Sequence, residues 1–359
     1  MNKLLIFVPI TIALEYLAPQ QHLWIFFAAA LAILPLAGWM GEATEQLAEK
    51  TGEGVGGLLN ATFGNAAELI IAFAALRAGM HDVVKASIAG SIVGNILLVL
   101  GAAMLAGGMR HQDQHYNASA ARSQATLLML AAIALILPAA YKRLAGMYFS
   151  QDDLQLQPLS VSISTVLLAM YVMFLLFSLI THKKLFAGNA APADHHGEET
   201  ASWSAQKSLA ILGAATAAIA WISEILVGAI EPAAHIIGLS NIFVGVFVVA
   251  ILGNAAEHAT AVAAAMKNRM DLSLSIAIGS SVQVALFVAP VLVLASLWVG
   301  PTPMDLVFAP GLVLIVLLST MITAQVAGDG QSDWLKGAQL LAVYFILGLT
   351  FFFVPTPTP

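Results

Sequence analysis

The five residues Gly64-Asn65-Ala66-Ala67-Glu68 recur as Gly253-Asn254-Ala255-Ala256-Glu257, each time inside an otherwise apolar run. Aligned without a gap, the two copies also set Asp82 against Asp271 and Gly90-Ser91 against Gly279-Ser280. Landmarks matched at one constant offset indicate an internal duplication, and that decides the architecture before any single element does. A carboxylate in the middle of an apolar helix costs on the order of 2.5–3.5 kcal/mol on insertion scales. One placed twice at the same point marks a site by default.

The surroundings of the repeat are those of a membrane protein. Of 359 residues, 60% are hydrophobic and 9% charged, with a mean hydropathy of +0.88, whereas soluble domains carry about 25% charged residues. The first apolar stretch, Leu4 to Leu17, lacks a small-residue cleavage site and runs at once into another span, so it reads as a retained helix rather than a signal peptide. The net charge of −6 is spread over short loops with no basic stripe, which argues against a nucleic-acid partner. The absence of cysteine excludes disulfides and thiolate metal sites and leaves the redox compartment open.

Runs of about 20 apolar residues fall near 3–18, 21–40, 55–78, 83–107, 119–141, 158–181, 205–230, 239–265, 271–299, 304–326 and 334–354, roughly eleven spans. With the N-terminus in the cytoplasm, Lys3, Lys50, Arg110, Arg122, Lys183, Lys184, Lys207, Lys267, Arg269 and Lys336 fall inside. Only Arg77, Lys85, Lys142 and Arg143 fall outside. The positive-inside rule favours that split, and it puts the C-terminal tail outside. The expected fold is therefore an all-α polytopic integral membrane protein, placed in a prokaryotic cell (inner) membrane. An extra N-terminal helix (1–19) precedes a five-helix repeat (20–182), a cytoplasmic linker (183–204) and a second five-helix repeat (205–359).

On this count the motif copies lie in the third and eighth spans, so they cross the bilayer in opposite directions. Inverted repeats place the substrate near the midplane, on helices broken at Gly or Pro whose freed backbone groups face it. Gly64, Gly90, Gly253 and Gly279 stand where such breaks are expected. A weaker echo sets Glu45 of the second span against Glu224 of the seventh. In the linker, Asp194 to Glu199 (DHHGEE) reads as a solvated segment, with a regulatory cation site as the alternative.

Two facing carboxylates repel unless a divalent cation or protons neutralise them. Asn65 precedes Glu68 by three residues, as Asn254 precedes Glu257, so an amide oxygen and a carboxylate share each helix face. The hydroxyls of Ser91 and Ser280, the amide of Gln283 and carbonyls freed at Gly64 and Gly253 complete an all-oxygen set. Such a set suits Ca²⁺, which takes about 6–8 oxygens flexibly, better than Mg²⁺; Mn²⁺ is an alternative the ligands admit. The bland readings are that Glu68 and Glu257 pair with a buried base, which the central spans scarcely offer, and that the Asn and Ser residues merely pack between helices. His258 points about 100° away from Glu257 around the helix and could instead bond a neighbouring span. Asn95 has no counterpart, Val284 standing at the matched position.

The segments GNAAELI and GSIVGNILLVLG in the first half, with GNAAEHATAV and GSSVQVALFVAP in the second, resemble those of the Ca²⁺/H⁺ antiporters. These are the cation exchanger branch of the Ca²⁺/cation antiporter superfamily, and GEATEQLA and SEILV add to the resemblance. It implies that Glu68 and Glu257 are the central metal ligands and proton-exchanging groups, with Asn65, Asn254, Ser91, Ser280 and Gln283 lining the site. It also implies a proton pathway that includes Glu224, His258 and Glu45. The expected function is secondary active exchange of cytoplasmic Ca²⁺ for protons by alternating access. A Na⁺-coupled exchanger is the runner-up and a cation channel the third reading. No resident cofactor is expected, Ca²⁺ and H⁺ being cargo and the lipid bilayer the surroundings; the oligomeric state is left open.

Two look-alike motifs carry nothing. Gly52 to Gly57 (GEGVGG) fits a dinucleotide pattern, but no strand precedes it. Asp329 in AGDG lacks a second Asp in an apolar span. Hydrolase motifs such as H-E-x-x-H or G-x-S-x-G are absent, so no enzymatic chemistry is expected.

Overall fold

The computed structural model describes residues 2–51, 56, 58–59, 62–150, 154–186 and 203–353. The helices run α1 Phe7–Leu17, α2 His22–Thr51, α3 Ala66–Arg77, α4 His81–Gly108, α5 Ala118–Ala145 and α6 Leu156–Thr181 in the first half. The second half holds α7 Ala205–Ile237, α8 (Asn241–Ala255 and Glu257–Met266), α9 Met270–Ala295, α10 Pro310–Ala327 and α11 Trp334–Phe352. Eight of them are long and apolar enough to cross a membrane, or nine if the bent α8 counts as one span. The chain is thus a polytopic helical membrane protein. α1 and α3, of 11 and 12 residues, fall short of the roughly 17–25 that a span needs. Residues 55, 57, 60 and 61 of the expected span 55–78 lie outside the described residues, as do most of the GEGVGG stretch, most of the linker and the C-terminal tail.

Local chemistry sets the helix ends. Asn117 caps α5 by accepting from Ser119 and Ala120 N–H; Ser204, Ser240 and Asp333 cap α7, α8 and α11 in the same way. Pro310 opens α10, where a missing N–H costs nothing. The expected start of that span at 304 is overturned, because residues 300–309 form a loop pinned from outside the helix. Buried Lys85 donates to the Asp305 carboxylate and to the Val307 carbonyl at 2.9 Å. α2 and α7 likewise outrun the expected ends at 40 and 230: GEATEQLAEK continues as good helix-forming sequence beyond the apolar stretch, and α7 runs on through Pro232 to Ile237.

The centre of the molecule is α4 and α9, whose most apolar windows are 83% and 78% buried; α6 and α11, at 22%, form the periphery. α2 packs along α7, and α8 crosses α4. At that crossing a side chain on Gly90 would collide with the Val246 backbone, and one on Gly245 with Ala86, the small-residue contact that lets membrane helices approach closely. α4 and α9 each widen into a π-helical stretch, Gly94–Val99 and Val284–Val288, at nearly matched places in the two copies. Such widenings recur at functional sites. Opposite the 300–309 loop, a two-stranded antiparallel ladder, β1 Gln114–His115 with β2 Gln331–Ser332, ties the two halves together.

Candidate cation-binding site

The first motif copy sits at a helix start. Gly64 and Asn65 form a turn, and α3 begins at Ala66, which puts Glu68 in its first turn. The second copy sits inside α8, which bends by 68° between Ala255 and Glu257. Of the four glycines expected at breaks, Gly64 is at one and Gly253 stands two residues before the bend of α8. Gly90 and Gly279 lie in continuous helix, and at Gly90 and Gly253 the missing side chain permits close approach. A Cβ on Gly253 would stand 2.9 Å from Glu68 Cγ. The first carboxylate therefore rests directly on the second motif, within electrostatic reach of Glu257.

The two copies hold each other through crossed amide contacts. Asn65 donates through Nδ2 to Gln283 Oε1, and its Oδ1 accepts from the Ser280 hydroxyl at 2.9 Å. Asn254 donates through Nδ2 to Ser91 Oγ at 3.2 Å and to the Ala250 carbonyl one turn back at 3.2 Å. Each asparagine thus reaches the Gly-Ser segment of the other half. Ser280 also stands beside the Glu257 carboxylate.

These contacts leave four side-chain oxygens buried with no hydrogen-bond partner among the described residues: both of Glu68, Oε2 of Glu257 and Oδ1 of Asn254. Unsatisfied buried acceptors cost on the order of 1–3 kcal/mol each, more when charged. A donor or a cation is what this cluster lacks. Lys85, a buried base, is engaged by Asp305 and Val307 and does not supply it. Hard oxygen donors, three of them on two carboxylates, fit a divalent cation such as Ca²⁺.

Access comes from one side. A cavity of about 590 Å³ is lined by Gly64, Gly253, Glu257, Ser280 and Gln283 at its depth, and by Glu42, Glu45, Leu272 and Ser275 nearer its mouth. The structure thus brings together Glu68, Glu257, Asn65, Asn254, Ser91, Ser280, Gln283, Gly64 and Gly253, and sets Glu45 on the approach. Glu224 is elsewhere: it faces Arg77 at the far end of α3, at 2.7 Å, both side chains more than half exposed. His258 bonds Asn95 Oδ1 through Nε2 at 3.1 Å rather than joining Glu257. The want of a counterpart had discounted Asn95, and no pattern in the sequence pointed to Arg77. Gln124, buried on α5 with its amide 3.7 Å from where a Cβ of Gly279 would be, was also missed. A lone amide in an apolar span was the signal available. Asp329 makes a surface ion pair with Lys336 at 2.8 Å.

The sodium/calcium exchanger protein family model matches residues 21–180 and 207–353. A Ca(2+)/H(+) antiporter of Aphanothece halophytica is 46% identical, covering 98% of this chain and 96% of its own. The solved structure of native YfkE superposes with a TM-score of 0.80 at 35% identity, covering 98% of this chain and all of that one. A structure of the sodium-calcium exchanger NCX_Mj shares the fold alone, with a TM-score of 0.53 at 17% identity over 94% of this chain and 98% of that one. Matched along both halves and nearly end to end, the chain belongs to the sodium/calcium exchanger protein family and groups there with the Ca²⁺/H⁺ antiporters.

Proposed function

We propose that this protein exchanges cytoplasmic Ca²⁺ for protons by alternating access around the Glu68–Glu257 site. The observation that carries the reading is the set of four buried, unpartnered oxygens on Glu68, Glu257 and Asn254. With both carboxylates ionised and empty, the site holds two uncompensated charges in apolar surroundings. Neither the bilayer core nor a packed helix interface tolerates that, so the carrier switches sides only when loaded with a cation or with protons. Exchange is then obligatory. The close relatives named as Ca²⁺/H⁺ antiporters support the proton-coupled reading over the sodium-coupled one.

An inverted arrangement of the two halves accounts for the reciprocal Asn–Ser contacts and for the matched π stretches of α4 and α9. Lys50, Lys267 and Arg269 lie at the ends of α2, α8 and α9, helices that line the 590 Å³ cavity. By the positive-inside rule this mouth is cytoplasmic, and the conformation is open inward. Ca²⁺ entering past Glu42 and Glu45 meets Glu257 first, and Glu68 lies behind it.

Calcium binding to the purified protein across about pH 5.5 to 8.5, with protons counted in a weak buffer, tests the shared-ligand mechanism. Each Ca²⁺ bound should release protons, and apparent affinity should weaken as pH falls, by up to about 100-fold per unit where two protons are displaced. Binding without proton release over the whole range would overturn it.

A further inference from the structure

The outer ends of α3 and α7 carry polar groups that the site does not use. α3 rises about 16 Å from Ala66 to Arg77 at 1.5 Å per residue, roughly half the ~30 Å hydrocarbon thickness. The Arg77–Glu224 pair therefore lies on the far side of the cation site from the open cavity. Its side chains are 59% and 56% exposed. Charged groups that exposed cannot face acyl chains, so this face of α7 meets water. The same face continues outward at helical spacing through Gly228, Glu231 and His235, all exposed. A second cavity of about 500 Å³ lies there, between those three residues and Ala78 and Met80 just beyond α3. The ion pair stands just inward of it, Arg77 next to Ala78 and Glu224 one helical turn before Gly228. It is not duplicated at the inner mouth, where Glu45 is the counterpart of Glu224 but Met266 stands at the offset that matches Arg77.

We propose that the outer face of α7 is an aqueous vestibule and that Arg77–Glu224 is the latch across it. Arg77 acts as a positioning residue: it holds Glu224 across the route and keeps the outer side shut while the inner side is open. The inference rests on the inward-open orientation given above, but its test reads water access and is independent of which ion is carried.

The chain has no cysteine, so a single introduced one is the sole thiol. Gly228→Cys places it one turn outward of Glu224, where a Cβ meets nothing within 4 Å; Ala220→Cys places it one turn inward on the same exposed face. In sealed right-side-out vesicles, a membrane-impermeant maleimide should label Gly228→Cys readily and Ala220→Cys slowly. Arg77→Gln should speed the second reaction by about 1.4- to 5-fold, the factor that ~0.2–1 kcal/mol for an exposed ion pair converts to at ~1.4 kcal/mol per tenfold. Glu224→Gln should do the same, a second reading if Arg77→Gln folds poorly. The exchanged pair, Arg77→Glu with Glu224→Arg, should restore both the slow labelling and exchange activity. The proposal is overturned if neither cysteine reacts in right-side-out or in inside-out vesicles until they are dissolved in detergent, which would make the face lipid-covered; labelling from the inside alone would overturn the orientation instead. Equal labelling of Ala220→Cys with and without Arg77 would overturn the latch.

Discussion

Gly253→Ala is the smallest perturbation that reaches the cation site. The added Cβ would lie 2.9 Å from Glu68 Cγ, 3.5 Å from Cδ and 3.7 Å from Oε1. The nearest approach is about 0.5 Å inside the 3.4 Å at which ordinary contact begins. The obstacle is the flexible part of a side chain rather than backbone, so the empty protein relieves it by swinging Glu68 aside at ~0.5–1.5 kcal/mol for a displaced rotamer. A bound ion removes that freedom, because the carboxylate must then face the cation. The full overpacking penalty of ~1–3 kcal/mol falls on the complex, and Ca²⁺ affinity should weaken by about 5- to 150-fold. Calorimetric Ca²⁺ titration of purified protein measures it. Gly213→Ala, on an open face of α7 with nothing within 4 Å, serves as the control and should bind like the parent. Binding by Gly253→Ala within twofold of the parent would mean that Glu68 does not hold its position against the second motif when the ion is present.

Glu68→Gln and Glu257→Gln should each abolish exchange while leaving the fold intact, since the amide keeps shape and removes charge; near-normal Ca²⁺ uptake by either in proteoliposomes would remove it from the site. The two motif asparagines should separate. Asn254→Ala deletes an unpartnered oxygen and should chiefly weaken Ca²⁺ binding. Asn65→Ala strands Ser280 and Gln283 and should lower stability by ~1–3 kcal/mol in a thermal unfolding assay. Tyr116, in the segment leading from β1 to α5, gives a pH signature outside the membrane. Burial, reinforced by Asp329, pushes its phenol up to about 12. Its contribution is thus complete below the ordinary value near 10 and is lost as pH rises toward 12. Tyr116→Phe, which loses the bond to the Val326 carbonyl, should show a shallower decline in melting temperature between about pH 10 and 12.

How much the sequence disclosed depends on the range of the interaction involved. The convergence of the motif residues was legible because a carboxylate in an apolar run is costly at any depth, and because Asn65 and Glu68 share a helix face by spacing alone. Duplication made each copy the control for the other. Span limits were less legible: hydropathy locates the bilayer but not the end of the helix, so α2 runs on to Thr51 and α10 waits until Pro310. Contacts between residues far apart in the chain were not legible at all. Arg77 and Glu224 are 147 residues apart, and Lys85 and Asp305 220. Nothing local to either member of these pairs announces the other. Asn95 was set aside for want of a counterpart, yet it holds His258 across the interface between the halves.

The two GNAAE copies show why an identical pentapeptide need not give an identical environment. Asn65 precedes a helix, with φ −102° and ψ 22° and no capping bond from its side chain. That side chain is free to reach α9, where Gln283 and Ser280 occupy both of its ends. Asn254 lies within the helix that leads into the bend, so its amide finds the Ala250 carbonyl one turn back, and its oxygen is left over. Residue type thus decides that four amide and carboxylate groups converge, and the place of the helix break decides which of their oxygens remain open to an ion. A reading of ligands from the motif alone would rank Asn65 and Asn254 together. The backbone engages the first across the halves and leaves the second's oxygen without a hydrogen bond, so on the proposed function it is Asn254 that would face the cation.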